Sequence, residues 1–89
     1  MFLHILTVHH CGDYCLECTF TNGETLLVDL ERELHGEVFA PLLDKKLFAE
    51  VRTNPNTLTV EWSNGADFAP EYLYELAQKQ QSQFSEISL

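Results

Sequence analysis

Apolar and polar residues alternate along the first third of the chain, and the alternation predicts strands in succession. Over residues 2–9, Phe2, His4, Leu6 and Val8 share one face and Leu3, Ile5, Thr7 and His9 the other, a pattern suited to a strand covered on both sides. His10-Cys11-Gly12-Asp13 is a short connection with turn chemistry in its Gly-Asp pair. Residues 14–21 then alternate cleanly, with Tyr14, Leu16, Cys18 and Phe20 toward a core and Cys15, Glu17, Thr19 and Thr21 away from it. Asn22 and Gly23 both tolerate positive φ, which predicts a hairpin closed by a type I′ turn. In the third strand, residues 24–30, Leu26, Val28 and Leu30 join the core and Asp29 lies on the opposite face.

Residues 31–39 carry no lasting period and read as a loop that drops Val38 and Phe39 onto the open end of the sheet. Pro41 begins a helical turn through Leu42, Leu43 and Asp44, and Leu47, Phe48 and Val51 add apolar anchors. Asn54-Pro55-Asn56 turns a short strand at 50–53 into another at 57–62, where Leu58, Val60 and Trp62 share a face. After a turn at 63–67, Pro70 starts a helix whose buried stripe is Tyr72, Leu73, Leu76 and Ala77, with Glu71 and Lys79 placed to suit its dipole. From Gln80 onward Gln and Ser dominate, and Phe84, Ile87 and Leu89 are too sparse to define a face. The expectation is one α+β domain over residues 1–79 and a polar, flexible tail over 80–89. Its small, mostly antiparallel sheet has about five strands, an N-terminal three-stranded meander plus a second hairpin, with a short middle helical turn and a C-terminal helix packed on the sheet.

Composition narrows the function. The 89 residues, 45% apolar, suffice for one small core, and a domain of this size gains stability from a partner or a second copy of itself. Fourteen acidic residues against five Lys and Arg give a formal charge of -9, which repels a phosphate backbone and suits a basic protein partner. Direct nucleic-acid binding is therefore not expected. The apolar runs fall far short of the roughly 20 residues that span a bilayer, and the N-terminus lacks the positive region of a secretory signal. Three cysteines cannot all pair within one chain, so reduced thiols in the cytoplasm are expected.

Three constellations invite chemistry. Cys11, Cys15 and Cys18 have the cysteine spacing of radical S-adenosylmethionine enzymes, but residues three apart on a strand point to opposite faces. His9, His10, Cys11 and Cys15 surround one turn and are suitable zinc ligands, although the second half of the usual spacing is missing. Asp29, His35, Asp67 and Glu71 could supply acid and base groups, yet no nucleophile elbow or phosphate loop accompanies them. Asp67 is better explained by the helix start that follows, where a carboxylate can accept free backbone N–H groups. Trp62 and Tyr72 read as packing residues and Asn64-Gly65 as a turn, with Tyr74 nearer the surface.

Leu16 to Phe20 followed by Asn22-Gly23, then Val28-Asp29-Leu30, the Phe48 and Val51 pair, and above all Val60-Glu61-Trp62-Ser63-Asn64-Gly65-Ala66-Asp67 leading into Pro70-Glu71-Tyr72-Leu73-Tyr74, resemble the bacterial domain-of-unknown-function family 2442 over about residues 5–75. Ser63 stands where many members carry proline, and Phe68 where a smaller aliphatic is common. The resemblance implies a small α+β domain, sometimes found near toxin and antitoxin genes, with no established activity. The combined expectation is a non-enzymatic interaction or regulatory accessory protein without cofactors, acting on a protein partner or by self-association. Trp62, Asn64, Asp67 and Tyr74 are its candidate interaction residues. The alternative is a metal- or small-ligand-binding domain built on the His/Cys cluster.

Overall fold

The computed structural model describes residues 3–87, with side chains through Gln81. Strands β1 (Ile5–His10), β2 (Cys15–Phe20) and β3 (Thr25–Asp29) form the antiparallel meander, in spatial order β1-β2-β3. In β2 the period holds, and Leu16, Cys18 and Phe20 are buried. β1 departs from strict alternation because its pairing with β2 slips between Ile5 and Thr7. The extra residue puts Ile5 in the core, with Val8 packed against it, and leaves Leu6 57% exposed.

The hairpin between β2 and β3 lies where Asn22-Gly23 places it, but its turn is not type I′. Gly23 alone has a positive φ, 91°, and its N–H donates to the Phe20 carbonyl at 3.0 Å, while the Phe20 N–H reaches the Glu24 carbonyl at 2.8 Å. This is a three-residue connection, a turn followed by a left-handed glycine that forms a bulge. Asn22 reinforces it by accepting the Glu24 N–H at 3.0 Å. The same device recurs after Trp62: the Gly65 N–H donates to the Trp62 carbonyl at 3.0 Å, and Asn64 accepts the Ala66 N–H at 3.1 Å.

That second turn joins two members of a second antiparallel sheet, β4 (Arg52–Asn54), β5 (Thr59–Glu61) and β6 (Asp67–Phe68), in order β4-β5-β6. The described residues thus form six strands rather than about five, because a two-residue strand is too short to show a period. The two sheets are tied where the Leu58 carbonyl, aimed by a left-handed backbone with φ 57°, accepts the Ile5 N–H at 2.9 Å.

Between the sheets run single 3-10 turns at Glu31–Glu33 and Ala40–Leu43, the latter begun by Pro41, and the short helix α1 (Lys45–Phe48). Asp44 caps α1 by accepting the Lys46 N–H at 3.0 Å. Phe39 does reach the core edge, stacked on Phe68 at 4.6 Å, but Val38 is exposed, and Leu34 and Leu42 are the buried residues of this region. At the centre Trp62, 1% exposed, lies between Phe48 and Phe68, and its indole N–H donates to the Phe48 carbonyl at 2.8 Å.

The helix α2 (Pro70–Ile87) starts at Pro70 and packs against β3. Leu73 and Ala77 are buried, and Tyr74 and Leu76 pack against the core. Tyr72, placed in the buried stripe by the sequence, is instead 42% exposed. The helix also continues past residue 79, where the composition turns polar; Leu89 and the side chains of Phe84 and Ile87 lie outside the described residues.

Candidate interaction surface

The structure disperses the residues that looked functional in the sequence. Trp62 is in the core, so it has no surface to offer. Asn64 is exposed but occupied in holding its turn and in donating to the Val38 carbonyl at 3.1 Å. Asp67 does not cap α2: it is an exposed residue of β6, paired with Glu61, and among the described residues its carboxylate takes no hydrogen bond. Asp67 and Phe68 are spent in β6, and it is Ala69, whose carbonyl accepts the Leu73 N–H at 3.1 Å, that stands at the helix start.

The tyrosines exchange roles. Tyr74 is half-buried, edge-on to Phe20 at 5.3 Å, with its hydroxyl donating to Glu24 at 2.7 Å. Tyr72 is the exposed ring, stacked on Phe68 at 5.8 Å with its hydroxyl on the Glu33 carboxylate. That carboxylate, helped by partial desolvation, favours the neutral phenol and pushes Tyr72 up to about 12. Each residue along a helix rotates the side chain by about 100°, so Tyr72 and Tyr74 lie about 200° apart around the axis, and a helix that turns Tyr74 toward the core leaves Tyr72 outside it.

The His/Cys cluster converges only in part: Cys11 and Cys15 approach to 2.8 Å, but the histidines do not join them. Strand alternation separates the two imidazoles: His9 pairs with Glu17, while His10 turns to place its Nε2 3.0 Å from the Asp13 carbonyl and its ring edge-on to Phe48 at 5.7 Å. Among the described residues no three His, Cys, Asp or Glu side chains are grouped as a metal would need. Asp29, His35, Asp67 and Glu71 sit on separate elements, on β3, the following loop, β6 and the first turn of α2.

A different place presents open backbone, the outer edge of β3. The strand ends its sheet, and Asp29 is paired there by a side chain from α2: Gln80 accepts the Asp29 N–H at 2.9 Å and donates to the Asp29 carbonyl at 2.8 Å. The amide thus imitates one rung of a neighbouring strand. Thr25 and Leu27 face the same edge by alternation, and among the described residues their backbone groups have no partner beyond their own sheet. Leu27 is also 58% exposed.

Three open clefts meet at Asp29. One of about 590 Å³ runs along the edge past Thr25 and Leu27 to Gln80 and Gln81. A second of about 650 Å³ lies between Glu31, Arg32 and Glu33 and the α2 residues Leu76 and Lys79. The third, about 370 Å³, reaches the Cys11 to Cys15 turn. Asp29 holds the wall between them by accepting the Glu31 N–H at 2.9 Å. Asp13, Asp29, Glu31 and Glu33 outnumber Arg32 and Lys79 around this rim.

With the geometry in hand, comparison with known proteins gives a family without an activity. Residues 5–79 match the model of a family described as protein of unknown function, DUF2442. The chain belongs to DUF2442. The match spans both sheets and α2 as far as Lys79, so the Trp62 turn and the β3 edge belong to the family's domain. No curated protein matches the chain. Among solved structures, this DUF2442 domain is similar to a crystal structure from Nitrosomonas europaea named "putative DNA binding protein", with 30% identity and a TM-score of 0.81. The alignment covers 92% of this chain and 53% of that one, so this DUF2442 chain spans about half the length of the protein it matches.

Proposed function

We propose that the chain is a non-enzymatic protein-interaction module that receives an extended, basic segment of a partner along the β3 edge. The observation that carries this reading is the unpaired edge itself. Thr25 and Leu27 offer backbone donors and acceptors beside an exposed apolar side chain, and Gln80 already makes the strand-like contact that a partner would extend. The rim of Asp13, Asp29, Glu31 and Glu33, on a chain of formal charge -9, selects a positively charged partner and speeds its encounter. A regulatory or antitoxin-like accessory role fits such a module.

The test is co-purification of the full chain from its native cell at physiological salt, with the bound species sized and identified. A basic partner that is lost from Thr25→Pro, which removes an edge N–H while a proline is tolerated on an edge strand, supports the reading. A chain that remains alone, or a partner held equally well by Thr25→Pro, overturns it. Concentration-dependent dimers that Thr25→Pro abolishes would place a second copy on the edge instead.

The name of the Nitrosomonas protein supplies a competing reading, nucleic-acid binding. The charge of this chain opposes it, and about half of that protein lies beyond the matched region. Fluorescence anisotropy with duplex DNA at low salt separates the two, since salt-sensitive binding by this chain alone would favour the nucleic acid.

A further inference from the structure

The β1–β2 turn brings two of the three cysteines together. Beyond the last pair of the ladder, His10 with Leu16, Cys11 lies opposite Cys15, and the Cys11 N–H donates to the Cys15 carbonyl at 3.1 Å. Gly12, at φ 118°, and Asp13, at φ 34°, close the turn, with the Cys15 N–H on the Gly12 carbonyl at 2.8 Å. The two Sγ atoms are 2.8 Å apart. A disulfide is about 2.05 Å long, so bonding requires an approach of about 0.75 Å by side chains already facing each other. Cys18 is excluded, because it is fully buried on the core side of β2.

We infer that Cys11 and Cys15 are an oxidation site, a dithiol that a peroxide converts reversibly to an intramolecular disulfide. Cys11 is exposed and meets the oxidant first. Its thiolate attacks one peroxide oxygen, the O–O bond breaks, and Cys11 becomes a sulfenic acid while hydroxide leaves and takes up a proton. The Cys15 sulfur then attacks the Cys11 sulfur; the S–O bond breaks, the Cys15 proton goes to the departing hydroxyl, and a second water forms. Two thiols and one peroxide thus give one disulfide and two waters. Burial, with the neighbouring Cys11 sulfur, pushes Cys15 up to about 12, so at neutral pH Cys15 still holds the proton that leaves with the hydroxyl. The inference is independent of any partner on the β3 edge, although Cys15 lines two of the clefts there.

The experiment uses the full chain, reduced, freed of reductant and treated with one equivalent of hydrogen peroxide. Thiols are then alkylated under denaturing conditions and mapped by mass spectrometry. The expected product has Cys11 and Cys15 protected together, their peptide lighter by two hydrogens, Cys18 fully alkylated, and dithiothreitol restoring both thiols. Cys11→Ser should slow oxidation of Cys15 about tenfold or more. Cys15→Ser should leave Cys11 as a sulfenic acid that dimedone traps. Oxidation of Cys11 to a sulfinate with Cys15 still alkylated in the wild-type chain overturns the inference, as does a disulfide between chains.

Discussion

Replacing Trp62 by Phe tests whether the tryptophan is a core residue alone. The change removes the indole N–H bond to the Phe48 carbonyl, a net loss of about 1 kcal/mol; that carbonyl keeps the Val51 N–H at 3.3 Å and is not orphaned. The smaller ring also leaves a void beside Phe48 and Phe68, and lost apolar burial plus the cavity cost about 1–2 kcal/mol. The sum, about 2–3 kcal/mol, is large for a domain of 89 residues, whose stability at roughly 0.05–0.15 kcal/mol per residue is about 4–13 kcal/mol. For a chain of this size it lowers Tm by roughly 10–20 °C. Thermal unfolding followed by far-ultraviolet circular dichroism reads the shift without relying on the lost fluorophore. A fall smaller than about 3 °C would refute the packing account. Partner capture at a temperature where the variant is still folded should equal wild type, and a selective loss of capture would return Trp62 to the interaction surface.

Gln80→Ala removes both amide bonds to Asp29 and should cost about 1 kcal/mol, because the pair is solvent-exposed. Hydrogen exchange should show faster loss of the Asp29 amide, and unchanged protection there would mean that α2 does not guard the edge. Tyr72 makes stability sensitive to alkali. Its phenol is raised from 10.0 to about 12 by Glu33 and partial burial, so its contribution is complete below pH 10 and is lost as pH rises toward 12. Titration of phenolate absorbance should find Tyr72 ionising late, and Glu33→Gln should bring it down; no difference between the two proteins contradicts the pairing. Glu61, held below the usual carboxylate range by Asn54 and Arg52, acts oppositely. Its stabilisation is present above pH 4.5 and fades as pH falls through the lowered value, so Asn54→Ala should flatten the acid limb of a stability-against-pH curve.

Period and turn chemistry made most of the scaffold legible. Leu16, Cys18 and Phe20 needed only alternation, Pro70 only its fixed φ, and the β2–β3 hairpin only its Asn22-Gly23 pair, since these features act within a few residues of themselves. What escaped was set by less regular or more distant physics. The irregular pairing in β1 reassigns Ile5 and Leu6 without leaving a mark in composition, and Leu34 and Leu42 are buried by the elements around them rather than by a period of their own. The local reading of Asp67 failed because the chain spends residues 67–68 pairing with β5 before the helix begins. No property of Gln80 taken alone distinguishes it from the glutamines that follow, and its partner Asp29 is 51 residues away.

The Val60 to Ala77 stretch has its tryptophan, its Asn-Gly turn and its buried helix face consumed in joining the second sheet to α2. Its effect on function is indirect. By fixing where α2 starts and which face it buries, with Leu73 and Ala77 inward, it determines that Gln80 arrives at the β3 edge. A helix advances about 1.5 Å and turns about 100° per residue, so inserting one alanine after Ala77 would rotate Gln80 off that edge while leaving the Trp62 core untouched. Such a variant should unfold close to wild type yet expose the Asp29 amide to exchange. If the amide stayed protected, the edge would be guarded by something other than the register of α2.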